Sequence, residues 1–328
     1  MKNPSRLLLA LLAVVGSSAA LAQSSVTLYG RVNTTIEQQK FGNEKVTSME
    51  NNASRFGFRG TEDLGGGLKA GFVLESGFNS DDGSGNGDRG IDFARQSELN
   101  LSGNFGMLRL GNFFAESYYA TADYVSMHNH DTGTSADALY AYVMPTNANK
   151  IAYRTPDFGG FTAEAAIAMH EQVRGGKNAV DLAANYNLGG LALGAGYSKH
   201  EKTNQFGLRA VYSTGPFVIG GYYQRDKNAF DSLTTLVESG KRDTFRIAGA
   251  YMMGASEFHL NLGRAGKYKN VPDSSAMQYT LAYNYNMSKR TKLYTYYTKV
   301  DNKIGADYAT GVAGEDFNSF AIGVRHNF

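Results

Sequence analysis

The sequence predicts an all-β fold, specifically a transmembrane antiparallel β-barrel of about sixteen strands with a long inward-folded third extracellular loop. Three observations carry this expectation. Short runs of alternating apolar and polar residues recur from residue 25 to the end. Gly, Asn, Asp and Ser punctuate them at regular spacing, and after the first residues no segment offers the 18 or so consecutive apolar residues of a spanning helix. In residues 277–286, Met277, Tyr279, Leu281, Tyr283 and Tyr285 fall on one face and Gln278, Thr280, Ala282, Asn284 and Asn286 on the other. One face suits lipid and the other water. In hydrocarbon every backbone N–H and C=O needs an internal partner, which a sheet provides only by closing on itself.

Residues 1–22 read as a signal peptide. Lys2 and Arg6 precede the apolar run Leu7 to Val15, and small residues lead to Ala20-Leu21-Ala22, an A-x-A cleavage site. The barrel is expected over residues 23–328. Removing the leader takes Lys+Arg from 32 to 32 − 2 = 30 against 30 Asp+Glu, a formally neutral chain. Neutrality offers nothing to nucleic acid, so ion preference has to come from where charges sit. Cys 0 fits an exported chain without disulfides or thiolate metal sites. Only 5 Pro against 39 Gly fits many strands and tight turns.

Strands are expected near 25–40, 54–63, 68–79, 93–102, 106–113, 149–156, 161–170, 179–188, 191–200, 204–214, 217–227, 242–253, 256–266, 275–287, 291–301 and 317–328. Connections alternate in length. Those at 63–66, 103–105, 157–160, 188–190, 214–216, 254–255 and 288–290 are short hairpin turns, read as periplasmic. Those at 41–53, 80–92, 228–241 and 302–316 are longer, polar and read as extracellular loops. The connection at 114–148 is about twice as long as any other, and a loop of that length is rarely idle. It mixes Tyr and Phe with Glu116, Asp123, Asp131 and Asp137, so it can fold into the lumen as a constriction.

Parity assigns the charges. In the first strand Val26, Leu28, Val32 and Ile36 face out, leaving Tyr29, Arg31, Asn33 and Glu37 inward. The same rule turns Arg55, Arg59, Lys150, Arg154, Arg109, Arg209 and Arg246 inward, which avoids the roughly 2–4 kcal/mol cost of a guanidinium at bilayer depth. Arg95 falls on the lipid side by alternation with Leu99 and Leu101 unless the phase shifts above Ser97. The expected pore constriction sets wall arginines Arg31, Arg55, Arg59, Arg95 and Arg154 against loop carboxylates Glu116, Asp123, Asp131 and Asp137, an electrostatic filter for ions and polar solutes. The competing reading pairs the arginines with Glu75, Glu98 and Glu164. Tyr29, Tyr222, Tyr294 and Tyr296 are inward too, scattered rather than forming a sugar track. Tyr186, Tyr212, Tyr251 and Tyr285 lie outward near short turns, as a headgroup girdle.

No cofactor is expected. Asp82, Ser84, Asn86, Gly87 and Asp88 resemble the opening half of a calcium loop, but Phe93 stands where the closing Glu belongs. His128, His130 and Asp131 make a weak metal signal. None of the six His sits in a nucleophile motif, so an enzyme is not expected.

The chain resembles the Gram-negative general porins of betaproteobacterial, neisserial-like type along essentially the whole mature length. The resemblance rests on Ser25-Val26-Thr27-Leu28-Tyr29-Gly30-Arg31, on the run Ser54 to Ala70 (SRFGFRGTEDLGGGLKA), on Tyr153-Arg154-Thr155-Pro156-Asp157-Phe158-Gly159-Gly160-Phe161, on Ser288-Lys289-Arg290-Thr291, and on Gly323-Val324-Arg325-His326-Asn327-Phe328. It implies a sixteen-stranded homotrimeric channel of the outer membrane, in contact with lipid and lipopolysaccharide, passing small hydrophilic solutes and ions by diffusion. It also implies an inward Arg95 and a Phe328 that serves as insertion signal for the barrel-assembly machinery. Asn112, Met144 and Pro145 depart from basic residues seen in relatives, which bears on the strength of anion preference. A substrate-selective channel, or a surface adhesin using the long loops, is the alternative. The leader reading makes a direct prediction: N-terminal sequencing of exported protein will begin at Gln23, and a retained Met1 would contradict it.

Overall fold

The computed structural model describes residues 25–85, 90–123, 133–143, 147–171, 175–229 and 238–328, without the side chain of Asp123. The signal-peptide reading, Asp131, His128, His130, Asn86, Asp88, Met144 and Pro145 lie outside the described residues.

One antiparallel sheet contains the strands β1 (Ser25–Phe41), β2 (Glu44–Asn51), β3 (Arg55–Gly65), β4 (Leu68–Gly77), β5 (Gln96–Gly103) and β6 (Gly106–Asn112). It continues through β7 (Lys150–Arg154), β8 (Phe161–Ala168), β9 (Ala179–Leu188), β10 (Leu191–His200), β11 (Thr203–Thr214) and β12 (Phe217–Lys227). The last strands are β13 (Lys241–Met253), β14 (Ser256–Ala265), β15 (Ala276–Asn286), β16 (Thr291–Asn302) and β17 (Phe317–Asn327). Each of β3 to β16 pairs with the next in sequence. The seam closes where β1 pairs with β17, from Arg31↔Asn327 to Phe41↔Phe317. Gly30 and Phe328 complete it by exchanging backbone N–H···O bonds of 3.0 Å.

The seventeen described strands fill sixteen wall positions, because β2 and β3 share one edge of β1. The lower half of β1 pairs with β3 and the upper half with β2. This corrects the expectation that 41–53 is a loop: its central residues are a strand, joined to β1 through the two-residue turn Gly42-Asn43. The ladder breaks between β2 and β3, where Ala53 takes φ +56°. Asn52 fills the break, its amide donating to Thr35 Oγ1 and Tyr294 Oη at 2.9 Å each. The polar sequence around that kink hides the strand from an alternation test.

Side-chain parity is otherwise as alternation predicts. Ile247 is 66% exposed and Ile322 60%, with Val26, Leu28, Ile36, Leu99, Leu110, Ile219 and Leu281 also outward. Their neighbours Asn33, Glu37, Gln224, Thr244, Gln278, Thr280 and Ser319 are buried inside. At the short-turn end, outward rings make a belt: Phe217 lies 5.0 Å from Tyr251, Tyr251 6.4 Å from Phe258, and Phe258 5.1 Å from Tyr283. Rings with one wet and one oily side suit the headgroup level. The turns themselves need left-handed backbone; Gly189, Gly215 and Gly254 adopt φ of +56°, +53° and +60°.

Phe328 packs its ring against Gly30. A Cβ at Gly30 would lie 2.4 Å from Phe328 Cζ, so the seam needs glycine there. The outward band generates a test. Replacing Ile247, at the middle of β13, by Arg is expected to cost about 2–4 kcal/mol of folding stability in lipid, read as a lowered urea midpoint of the folded band on unheated gels.

Candidate functional site

The lumen is divided between a loop and a basic wall. The loop begins where Phe113 leaves β6, its ring buried with Arg109 Cζ 4.0 Å and Lys150 Nζ 4.3 Å from its centroid. A helical turn (Glu116–Tyr118) and a wider π-type turn (Tyr119–Asp123) follow. Ser117 donates its backbone N–H to Asp181 Oδ1 at 3.1 Å and its hydroxyl to Oδ2, and Ser198 Oγ joins that carboxylate at 2.6 Å. The wall beneath is glycine because the loop lies directly on it. A Cβ at Gly194 would sit 1.9 Å from the Ala120 carbonyl oxygen, and one at Gly196 2.8 Å from Ser117 Cβ.

The returning half of the loop is held as closely. Asp137 accepts from Arg246 Nη2 at 2.6 Å and from Tyr222 Oη at 2.5 Å. Gln278 receives the Ala138 N–H at 3.0 Å and donates to the Ala136 carbonyl at 2.8 Å. Gln224 brackets Ala141 in the same way, at 2.9 and 3.0 Å. Arg242 donates to the Leu139 carbonyl at 3.0 Å and to Asp226 at 2.8 Å. Thr134 Oγ1 donates to Glu37, a fully buried carboxylate that also accepts from Thr35, Gln39, Tyr296 and Ser319. The described loop therefore rests on inward side chains of β9, β10, β12, β13, β15, β16 and β1.

The remaining wall is basic. Arg31 on β1 stands directly opposite Arg55 on β3, an arrangement of like charges that costs stability. Glu75 lies 2.9 Å from Arg95 Nε and 3.8 Å from Arg55 Nε, so one carboxylate serves two guanidiniums. Arg59 covers the Tyr29 ring at 5.1 Å. Lys292 and Arg325, opposite each other on β16 and β17, continue the stripe, with Lys292 paired to Glu257 at 3.1 Å; parity at Gly323-Val324-Arg325 is the signal that would have found Arg325. Arg95 is inward because β5 starts only at Gln96 and the chain bends before it, releasing Arg95 from the strand's alternation. Asn112 Nδ2 supports that bend by donating to the Ala94 carbonyl at 2.6 Å.

Arg154 stands apart from the other wall arginines. It belongs to a chain of ion pairs in which Glu98 meets Arg109 at 2.7 Å, Arg109 meets Glu164 at 2.9 Å, Glu164 meets Arg154 at 2.9 Å, and Arg154 meets Glu116 directly. For Arg109 and Arg154 the geometry is the competing one, pairing with Glu98 and Glu164, and Arg95 and Arg55 likewise meet the Glu75 of that reading. Glu116 and Asp137 likewise touch wall cations directly and do not face them across water. The side chains of Asp137 and Arg246 are 0% and 1% exposed. Of the inward tyrosines, Tyr222, Tyr294 and Tyr296 are buried and bonded. Asp82 spends Oδ1 on the Ser84 N–H and hydroxyl, at 2.8 and 2.7 Å, and among the described residues no cluster of three metal-ligating side chains occurs.

A closed, lipid-faced barrel whose polar lumen is narrowed by its own loop defines an outer-membrane channel. A model of the Gram-negative porin family matches residues 8–305, and the chain belongs to that family, as an outer-membrane protein of a Gram-negative bacterium. Outer membrane porin protein 32 of Delftia acidovorans is 34% identical, with 98% of this chain and 99% of the relative aligned. An outer membrane porin protein of Bordetella pertussis is 28% identical over 95% of this chain and 96% of its own. Among solved structures, the anion-selective porin from Comamonas acidovorans superposes with a TM-score of 0.79 at 30% identity, covering 93% of this chain and all of that one. OmpT of Vibrio cholerae, folded in vitro, matches in fold with a TM-score of 0.70 at 16% identity, over 93% and 98%.

The buried Asp137–Arg246 pair generates a prediction. Asp137→Ala leaves Arg246 without its carboxylate and is expected to cost about 3–5 kcal/mol of loop docking. The measurement is limited proteolysis of the folded barrel, with cleavage between residues 114 and 148 appearing in the variant and not in the parent.

Proposed function

We propose that the chain is a general diffusion channel with a preference for small anions, set by Arg31, Arg55, Arg59 and Arg95 on the wall beside the loop. The observation that carries this reading is the cross-strand Arg31–Arg55 pair with Arg95 drawn onto the same Glu75. A protein does not hold like charges side by side for stability; the arrangement raises the local potential, which attracts anions into a narrow lumen and repels cations. The similarity to a porin named as anion-selective supports it. Arg keeps its proton at any physiological pH, so the field is constant.

In this proposal Glu116, Asp137 and Arg154 are structural: their charges cancel locally and fix where the loop lies. Asp123 and Asp131 remain the proposed loop carboxylates of the filter, whose field with the arginines would orient polar solutes. Residues 1–22 direct export, Phe328 marks the barrel for insertion, and three copies associate through outward apolar faces, in keeping with the family resemblance.

The test is a bilayer recording in a potassium chloride gradient. A guanidinium about 7 Å from a passing ion contributes roughly 0.6 kcal/mol in water's dielectric. Arg55→Gln with Arg95→Gln is therefore expected to lower the chloride-to-potassium permeability ratio about threefold after salt screening, moving the reversal potential toward the cation side. An unchanged reversal potential would overturn the assignment. Closure in three equal steps checks the trimer.

A further inference from the structure

The exposed side of the loop is aromatic, and it starts at the arginine wall. Ser117, Ala120 and Thr121 lie against the glycines of β10 and β11, while Phe114, Tyr118 and Tyr119 are only half-buried and Tyr142 is 47% exposed. Their rings run together: Phe114 is 6.3 Å from Tyr118 and 6.0 Å from Tyr119, and Tyr118 is 5.5 Å from Tyr142. At the near end Arg95 Cζ lies 5.7 Å from the Phe114 ring centroid. The underside of this ledge is fixed, since Tyr118 stacks edge-on to Tyr140 at 6.0 Å and Tyr140 packs on buried Tyr222 at 5.6 Å. A pore that only excluded by size would not need aromatic rings on the water side of a loop, where they cost hydrophobic exposure.

We propose that this ledge is a binding subsite for aromatic carboxylates, in which the planar ring of the solute lies on Phe114, Tyr118 and Tyr142 and its carboxylate meets Arg95. The inference rests on the reading of the chain as an anion-preferring channel and names a solute class for it. Spacings of 5.5–6.3 Å between neighbouring rings match the offset and edge-to-face distances at which one more ring joins favourably. The charge selects the class. A neutral sugar gains from the rings but nothing from Arg95, and a small inorganic anion gains from Arg95 but nothing from the rings. Arg95 spends its Nε–H on Glu75 at 2.9 Å, one of the five N–H donors of a guanidinium, whose fork matches a carboxylate. Binding at such a site is weak and reversible, as a channel requires: it raises the local concentration of the solute and slows chloride while it is occupied.

The experiment compares two probes of equal charge and similar size in the purified channel in a planar bilayer: benzoate, which has a π face, and cyclohexanecarboxylate, which does not. Each is titrated against chloride current. Benzoate is expected to half-block at a concentration about two- to tenfold lower, and the ratio is expected to fall to one in Tyr118→Leu/Tyr142→Leu, which keeps apolar bulk and removes the rings. Arg95→Gln is expected to weaken block by both probes together. Equal half-blocking concentrations in the parent protein would overturn the proposal, as would a ratio that survives loss of both rings. The parent comparison needs no variant, so it decides the matter even if the double substitution does not fold. Absence of any chloride conductance would instead overturn the channel reading itself.

Discussion

Hydrocarbon offers a backbone amide no hydrogen-bond partner, and the rest of this structure follows from that. Once the wall must be a closed sheet, every strand residue is committed by parity to lipid or to lumen. Ile247, Leu281 and Ile322 take one side, Arg246, Gln278 and Gly323 the other. The same constraint explains the seam, where Gly30 gives up a side chain so that Phe328 can lie flush and complete the ladder. It explains too why polar and charged groups accumulate inside. They cannot be placed elsewhere at bilayer depth without a penalty.

Accumulated lumenal charge must then be managed, and the loop after β6 manages much of it. Its own acidic side chains neutralise wall cations that would otherwise be withdrawn from water beneath it, as Asp137 does for Arg246 and Glu116 for Arg154. Backbone carbonyls of Leu139 and Ala141 serve Arg242 and Gln224 in the same way. Beyond the loop's reach lies one stretch of wall, from β16 through β17 and β1 to β3, where cations neighbour cations and the wall's own Glu257 and Glu75 answer Lys292 and Arg55. The asymmetry of the lumen is thus a remainder: it lies in the charge that the loop does not cover.

Much of this was legible in the sequence, because alternation is a property of single strands and the sheet enforces it. The inward set Arg31, Asn33, Glu37, Arg55, Arg109, Lys150 and Arg154 needed only parity and a few outward apolar neighbours. Three things escaped. The strand β2 was hidden because the ladder is interrupted at Ala53 and the flanking residues are polar on both faces. The place of Arg95 depended on where the chain stops being a strand, which alternation cannot report. The partners of Glu116 and Asp137 depended on contacts between segments 38 and 109 residues apart, and no local pattern encodes which inward arginine a loop carboxylate will reach. Asp181, Ser198 and the glycines at 194 and 196 were unremarkable as sequence; they acquire meaning only once the loop lies upon them.

Those glycines have an evolutionary corollary. Because the carbonyl of Ala120 occupies the volume a methyl group would need at Gly194, a single codon change at this glycine, which lies beside Arg209 and on a different strand from Arg31, Arg55, Arg59 and Arg95, would push the loop off its seat and change the aperture. Passage through the pore could thereby be reduced in graded steps while every arginine of the lumenal wall keeps its place, and surveillance of pore-lining charges alone would miss the change.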